Sequence, residues 1–187
     1  MTNKATAGSQ PGKRSPRPAR PAVPPMPLMD TLDGVHRKMM LMLDRLDSLV
    51  DHLEREGVDV QARSSAQAIC DFFAKSAREH HAVEESQVFP PLIRKGDEET
   101  VHHVLRLQQD HGWLEEDWME LEPQLQAVAH GYSWYDLTAL RYGAGVFSAL
   151  YHEHIALEEA MVYPAARKLM SDETGSRDHR VADNGKA

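Results

Sequence analysis

The chain has 187 residues, a formal charge of −8, 41% hydrophobic and 6% aromatic residues, one cysteine and eleven histidines. No run approaches the ~20 apolar residues of a membrane-spanning helix, and one cysteine can neither staple a fold nor build a thiolate zinc site. The acidic balance argues against a nucleic-acid surface, which leaves the histidine count as the anomaly.

Residues 1–29 hold seven of the eleven prolines and five basic residues (Lys4, Lys13, Arg14, Arg17 and Arg20), with no acid. The remainder carries 16 basic against 29 acidic residues, a net of −13. A basic, Pro-rich stretch with almost nothing to bury cannot offset its ordering entropy, so 1–29 is expected to be a disordered tail. It lacks the apolar run of a secretory signal, and a cytoplasmic location is expected. Residues 171–187 read as a second disordered tail.

Between the tails, 30–170 reads as one all-α domain. Four segments carry apolar residues at helical spacing: about 30–55, 62–93, 97–129 and 135–163. The first stops at Gly57. The second is expected to bend or end at Pro90-Pro91, and the third to kink near Pro123, because proline lacks an N–H and crowds the preceding turn. Pro164 lies near the end of the fourth. The connections are short, which makes neighbouring helices antiparallel. The expected fold is an up-down-up-down four-helix bundle.

Written as heptads, each helix has an apolar stripe interrupted by one histidine. His36 follows Leu32 and precedes Met39. His80 follows Ile69, Phe73 and Ser76 and precedes Val83. His111 lies between Leu107 and Leu114, and His154 between Leu150 and Leu157. A lone histidine in a stripe is ordinarily a core residue with its ring hydrogen-bonded. One in every helix is a pattern. Counted from the turns at ~1.5 Å per residue, all four fall at about one level of the bundle. His52, His81, His102, His103, His130 and His152 lie off the stripes, and His179 lies in the tail.

A repeat supplies carboxylates. Residues 78–90 read REHHAVEESQVFP and residues 152–164 read HEHIALEEAMVYP, identical at seven of thirteen positions. The register pairs His80 with His154 and Glu84 with Glu158. It pairs His81 with Ile155 and Arg78 with His152, which sets His81 and His152 aside as ligands. In His-x-x-x-Glu the imidazole and the carboxylate lie one turn apart on the same helical face, so both reach one cation or two adjacent ones. Glu84 and Glu158 fall at e positions, at the margin of the core. Glu85 and Glu159, one residue on, suit surface groups or groups that orient a ligand. Glu115, one turn after His111, is a weaker candidate ligand.

Four imidazoles and two carboxylates (His36, His80, Glu84, His111, His154 and Glu158) suit iron, manganese or zinc, and offer no thiolate for copper(I) or an iron–sulfur cluster. Six ligands are too many for one tetrahedral zinc and too few to saturate two octahedral ions. Two non-haem irons bridged by Glu84 and Glu158, with two histidines each, fit the count. Oxo or hydroxo groups would complete the bridge, and open positions would remain for a small molecule such as oxygen or nitric oxide.

The residues His36, His80 with AVEESQVFP after His81, His111 in QDHGWLEED, and HIALEEAMVYP from His154 resemble the hemerythrin-like HHE cation-binding family in its four-His, two-Glu form. The resemblance covers about 30–170. It implies a di-iron four-helix bundle that binds or senses iron, oxygen or nitric oxide. The alternative it offers is a di-iron enzyme in nitric oxide or peroxide detoxification or in iron-centre repair. Oxygen-carrying hemerythrins use five histidines, two of them one turn apart on helix three, where this chain has Leu107 and Glu115 around His111. Iron-centre repair members usually carry a small cysteine-containing domain before the bundle, where this chain has its basic tail. Neither a membrane nor nucleic acid is an expected partner.

Overall fold

The computed structural model describes residues 28–172. They form four helical rods and, among these residues, no strand. The expected tails lie outside the described residues, save that helix includes 28–29 and 171–172. The first rod, α1, is Leu28–Glu56. The second, α2, spans 60–95 in five joined pieces: Val60–Asp71, a π-helical stretch Phe72–Ala77, Arg78–Val83, a second π stretch Glu84–Val88, and Phe89–Lys95. The third, α3, is Glu98–His130, continuous through Pro123. The fourth, α4, joins Leu137–Leu157 to a π stretch Glu158–Val162 and to helix over 163–172.

Local chemistry sets the ends. Gly57 and Gly131 take φ of 73° and 78° directly after α1 and α3, a conformation that costs glycine no Cβ clash. Asp59, Asp97 and Asp136 start the next rods, each accepting backbone N–H groups with its carboxylate: Ala62 at 2.8 Å, Thr100 at 2.8 Å, and Thr138 at 2.8 Å with Ala139 at 3.1 Å. α1 and α3 each pack against both α2 and α4. This is the square arrangement that short connections impose on antiparallel helices.

The second rod does not end at Pro90-Pro91; it runs on to Lys95. Both repeats meet their proline in the same way. Glu84–Val88 turns as a π-helix before Pro90, and Glu158–Val162 does so before Pro164. A proline ring presses on the carbonyl four residues back and supplies no N–H. The wider π turn accommodates both. It also adds a residue to the turn, which shifts the buried face. α2 buries Ala77, at the end of its first π stretch, and Glu84 where the heptads place Ser76 and Val83. α4 buries Ala144 and Tyr151 upstream of its π stretch, and Glu158 and Val162 within it; Leu150 and Leu157 are half-buried and Met161 is exposed.

The apolar core is divided in two. One cluster includes Met39, Leu43, Phe73, Ala77, Leu114, Trp118, Phe147 and Tyr151. The other includes Leu32, Val88, Phe89, Leu107, Val162 and Tyr163. Each large side chain so buried contributes about 1.5–3 kcal/mol. Between the clusters in every rod lies the histidine level: His36 between Leu32 and Met39, His80 between Ala77 and Val88, His111 between Leu107 and Leu114, His154 between Tyr151 and Val162. Apolar packing on both sides holds a polar layer in the middle of the bundle.

Candidate metal centre

All six expected residues come together in this layer, and all are buried; Glu84 and Glu158 are 0% exposed. The two glutamates therefore sit inside the core and not at its margin. Each follows its histidine by one turn on the same buried face.

The histidines pair across the bundle. His36 and His80 rings lie 4.8 Å apart, with Nε2 to Nε2 at 3.1 Å. His111 and His154 rings lie 4.9 Å apart. Each glutamate reaches one member of each pair. Glu84 Oε1 is 3.3 Å from His80 Nε2, and its Oε2 is 3.5 Å from His111 Nε2. Glu158 Oε2 is 3.1 Å from His36 Nε2, and its Oε1 is 3.2 Å from His154 Nε2. Two carboxylates thus span two imidazole pairs, in the pseudo-symmetry that the repeat encodes.

Outer contacts fix the rings. His36 Nδ1 lies 3.1 Å from Glu159 Oε1 and His111 Nδ1 lies 2.8 Å from Glu85 Oε1. With Nδ1–H donated outward, Nε2 keeps its lone pair for the centre. His154 Nδ1 faces buried Asp110 at 3.7 Å. The Tyr163 hydroxyl donates to Glu84 Oε1 at 2.5 Å and lies 3.1 Å from His36 Nε2. Neither Asp110 nor Tyr163 stands out in the sequence. Their only signals are adjacency to His111 and the Phe89/Tyr163 difference between repeats.

His81 differs from the repeat reading. The register matches it to Ile155 and so sets it aside, yet its half-buried ring stacks on His111 at 4.0 Å. Its ligand atom joins those of Glu84, His111 and His154 in one group whose members lie within 4.8 Å of each other; His36, His80, Glu84 and Glu158 form a second such group. Glu84 belongs to both. Glu115 is not brought in; it pairs with Arg78 near the surface. The remaining described histidines are outside too. His52 pairs with Asp59, while His130 and His152 donate from Nδ1 to the carbonyls of Gln126 and Ser148.

Charge is concentrated here. Burial penalises the Glu84 carboxylate, but the adjacent His111 and His80 rings and the Tyr163 hydroxyl outweigh it and hold its pKa well below the usual value. Burial likewise opposes a charge on His154, yet the Glu158 carboxylate and Asp110 lift its pKa to about 9. His36 is raised the same way, against burial, chiefly by Glu158. Burial, and then the nearby His111 and His154, push His81 well below its ordinary value. Cys70 is driven up to about 12 by burial and is inert packing.

Donor atoms remain unsatisfied. Glu84 Oε2, both Glu158 carboxylate oxygens, His111 Nε2, His154 Nε2 and His81 Nε2 are buried without a hydrogen-bond partner among the described residues. Buried carboxylate oxygens without donors are costly. Nitrogen and oxygen donors converging at this spacing could offset that cost by holding cations, so the residues present fit a metal centre. A cleft of about 650 Å³ between α1 and α2, lined by Leu28, Leu32, Val35, Phe72 and Val83 among others, reaches His80.

The family model described as "Hemerythrin HHE cation binding domain" matches residues 28–166. A relative from Haemophilus influenzae, described as an uncharacterized protein, is 28% identical over 137 residues, covering 73% of this chain and 77% of its own. No solved structure matches.

Proposed function

Since the chain belongs to the hemerythrin HHE cation-binding domain family, we propose that it holds two non-haem iron ions through His36, His80, Glu84, His111, His154 and Glu158, and binds or senses iron, oxygen or nitric oxide. The observation that carries this reading is that Glu84 and Glu158 each span a histidine of both pairs. Carboxylates that reach two imidazole pairs suit two adjacent cations better than one. Mixed imidazole and carboxylate donors suit iron.

When bound, the irons would supply redox-active positions for a small ligand. The protein's part is positional. Glu85 and Glu159 orient two rings, Asp110 places a buried carboxylate 3.7 Å from a third, and Tyr163 holds Glu84 by a hydrogen bond. The two apolar clusters keep bulk water from the layer. The cleft at His80 joins apolar walls (Leu28, Leu32, Val35, Phe72 and Val83) to polar groups that include Lys38 and Glu79, and gives a small molecule a route to the layer.

Metal content and the optical spectrum of aerobically purified protein test the reading. Two irons per chain with oxo-bridge absorption are expected. Protein that carries no iron after iron-replete expression, and takes up none anaerobically, would overturn it.

A further inference from the structure

We infer that His81 is a further ligand of this centre, and that it makes the two metal positions unequal. The inference rests on the reading that the centre holds two metal ions.

The geometry follows from where α2 stands. In a square bundle a corner helix sees its two neighbours roughly 90° apart. Consecutive helical residues point about 100° apart. Two adjacent histidines on a corner helix can therefore serve both neighbours. His80 turns to α1, where its ring meets His36. His81 turns to α3, where its ring stacks on His111 at 4.0 Å and 14°, with the His154 ring at 5.5 Å. Its Nε2 is buried and unpartnered. Its ligand atom lies within 4.8 Å of those of Glu84, His111 and His154.

The counterpart in the repeat shows the asymmetry. Ile155 occupies the matching place on α4, buried and apolar. It offers no donor to the His36–His80 side. Glu84 and Glu158 reach both positions. One position then has three imidazoles, His81, His111 and His154, and the other has two, His36 and His80. The first has one more nitrogen donor. Nitrogen ligands favour the later first-row divalent ions more than carboxylates do, so the two positions differ in affinity and fill in sequence.

Two measurements decide it. The first uses the full-length protein loaded with cobalt(II), read by proton NMR in light and heavy water. Each coordinated histidine gives one exchangeable, paramagnetically shifted ring N–H signal. Five are expected, and four would overturn the inference. The second titrates ferrous iron anaerobically into the metal-free protein and into His81→Phe, which keeps a ring against His111 and removes the nitrogen. The native protein should take two equivalents in two resolved steps. His81→Phe should keep one step and weaken the other tenfold or more. Unchanged binding in a folded His81→Phe overturns the role of His81 while leaving the di-iron reading intact. Native protein that binds no ferrous iron overturns that reading as well.

Discussion

Tyr163 donates its hydroxyl proton to Glu84 at 2.5 Å, across 79 residues of sequence. In the repeat register its counterpart is Phe89, which has no hydroxyl to give Glu158. The phenol is thus a donor present on one side of a pseudo-symmetric site. A hydrogen bond to a buried charge contributes about 1.5–3 kcal/mol. Tyr163→Phe is expected to destabilise the metal-free protein by that amount, read as a lower urea midpoint with an unchanged slope. A loss below about 0.5 kcal/mol would show that the bond carries no weight.

Glu85 and Glu159 are the second carboxylates of the two Glu-Glu pairs. Each crosses to a ring on another helix: Glu85 to His111 on α3, Glu159 to His36 on α1. Both side chains are about half-exposed, so their removal leaves the core intact. Loss of an orienting carboxylate typically weakens metal binding by about 10–100-fold. Glu85→Ala and Glu159→Ala should each fall in that range in a chelator competition. Glu79→Ala, exposed on the same helix as Glu85, should not. Equal effects from all three would mean that net charge, not orientation, is what was lost.

These carboxylates show what could be read from sequence. The four stripe histidines stood out because helical periodicity selects one face, and the ungapped repeat selected His80 and His154 again on separate grounds. Glu85 and Glu159 followed from position alone. The depth of Glu84 and Glu158 did not follow, because a heptad count assumes a uniform turn. A π stretch precedes the prolines at 90 and 164, but α3 stays α-helical through Pro123, so proline alone does not announce the wider turn. The repeat register matches His81 to Ile155 and so sets it aside, and the stripe, which records one face of a helix, does not restore it; a helix at the corner of a bundle has two neighbours. Asp110 carries no pattern of its own; only the packing of α4 against α3 brings it to His154.

The helix caps govern the acid side of stability. Asp59 has its pKa lowered by the Ala62 N–H and Asp97 by Thr100. A carboxyl depressed in the folded state stabilises above its unfolded pKa, about 3.9, and that contribution is lost as pH falls through the lower folded value. Asparagine also caps helices but does not titrate in this range. The double variant Asp59→Asn, Asp97→Asn should be less stable than the native protein at pH 6. The gap should close as pH falls towards 2, in urea midpoints of metal-free protein. A gap that persists unchanged at pH 2 would show that geometry, not charge, sets it.

His152 and His154 lie two residues apart on α4 and offer the sharpest contrast. His154 is buried, faces Glu158 and belongs to both the stripe and the repeat register. His152 is exposed and spends its Nδ1–H on the Ser148 carbonyl. A metal that binds only the folded chain stabilises it by about 2.7 kcal/mol at a hundredfold excess over Kd. Ferrous iron added anaerobically should therefore raise the Tm of native protein and of His152→Ala alike. It should raise that of His154→Ala little, because one imidazole pair is broken and Glu158 loses its partner on that side. The comparison is internal: each variant is measured with and without iron, so any cost of the substitution to the metal-free fold cancels. The same Tm rise in both variants would remove His154 from the ligand set, and with it the pairing of His111 and His154 on which the second metal position depends.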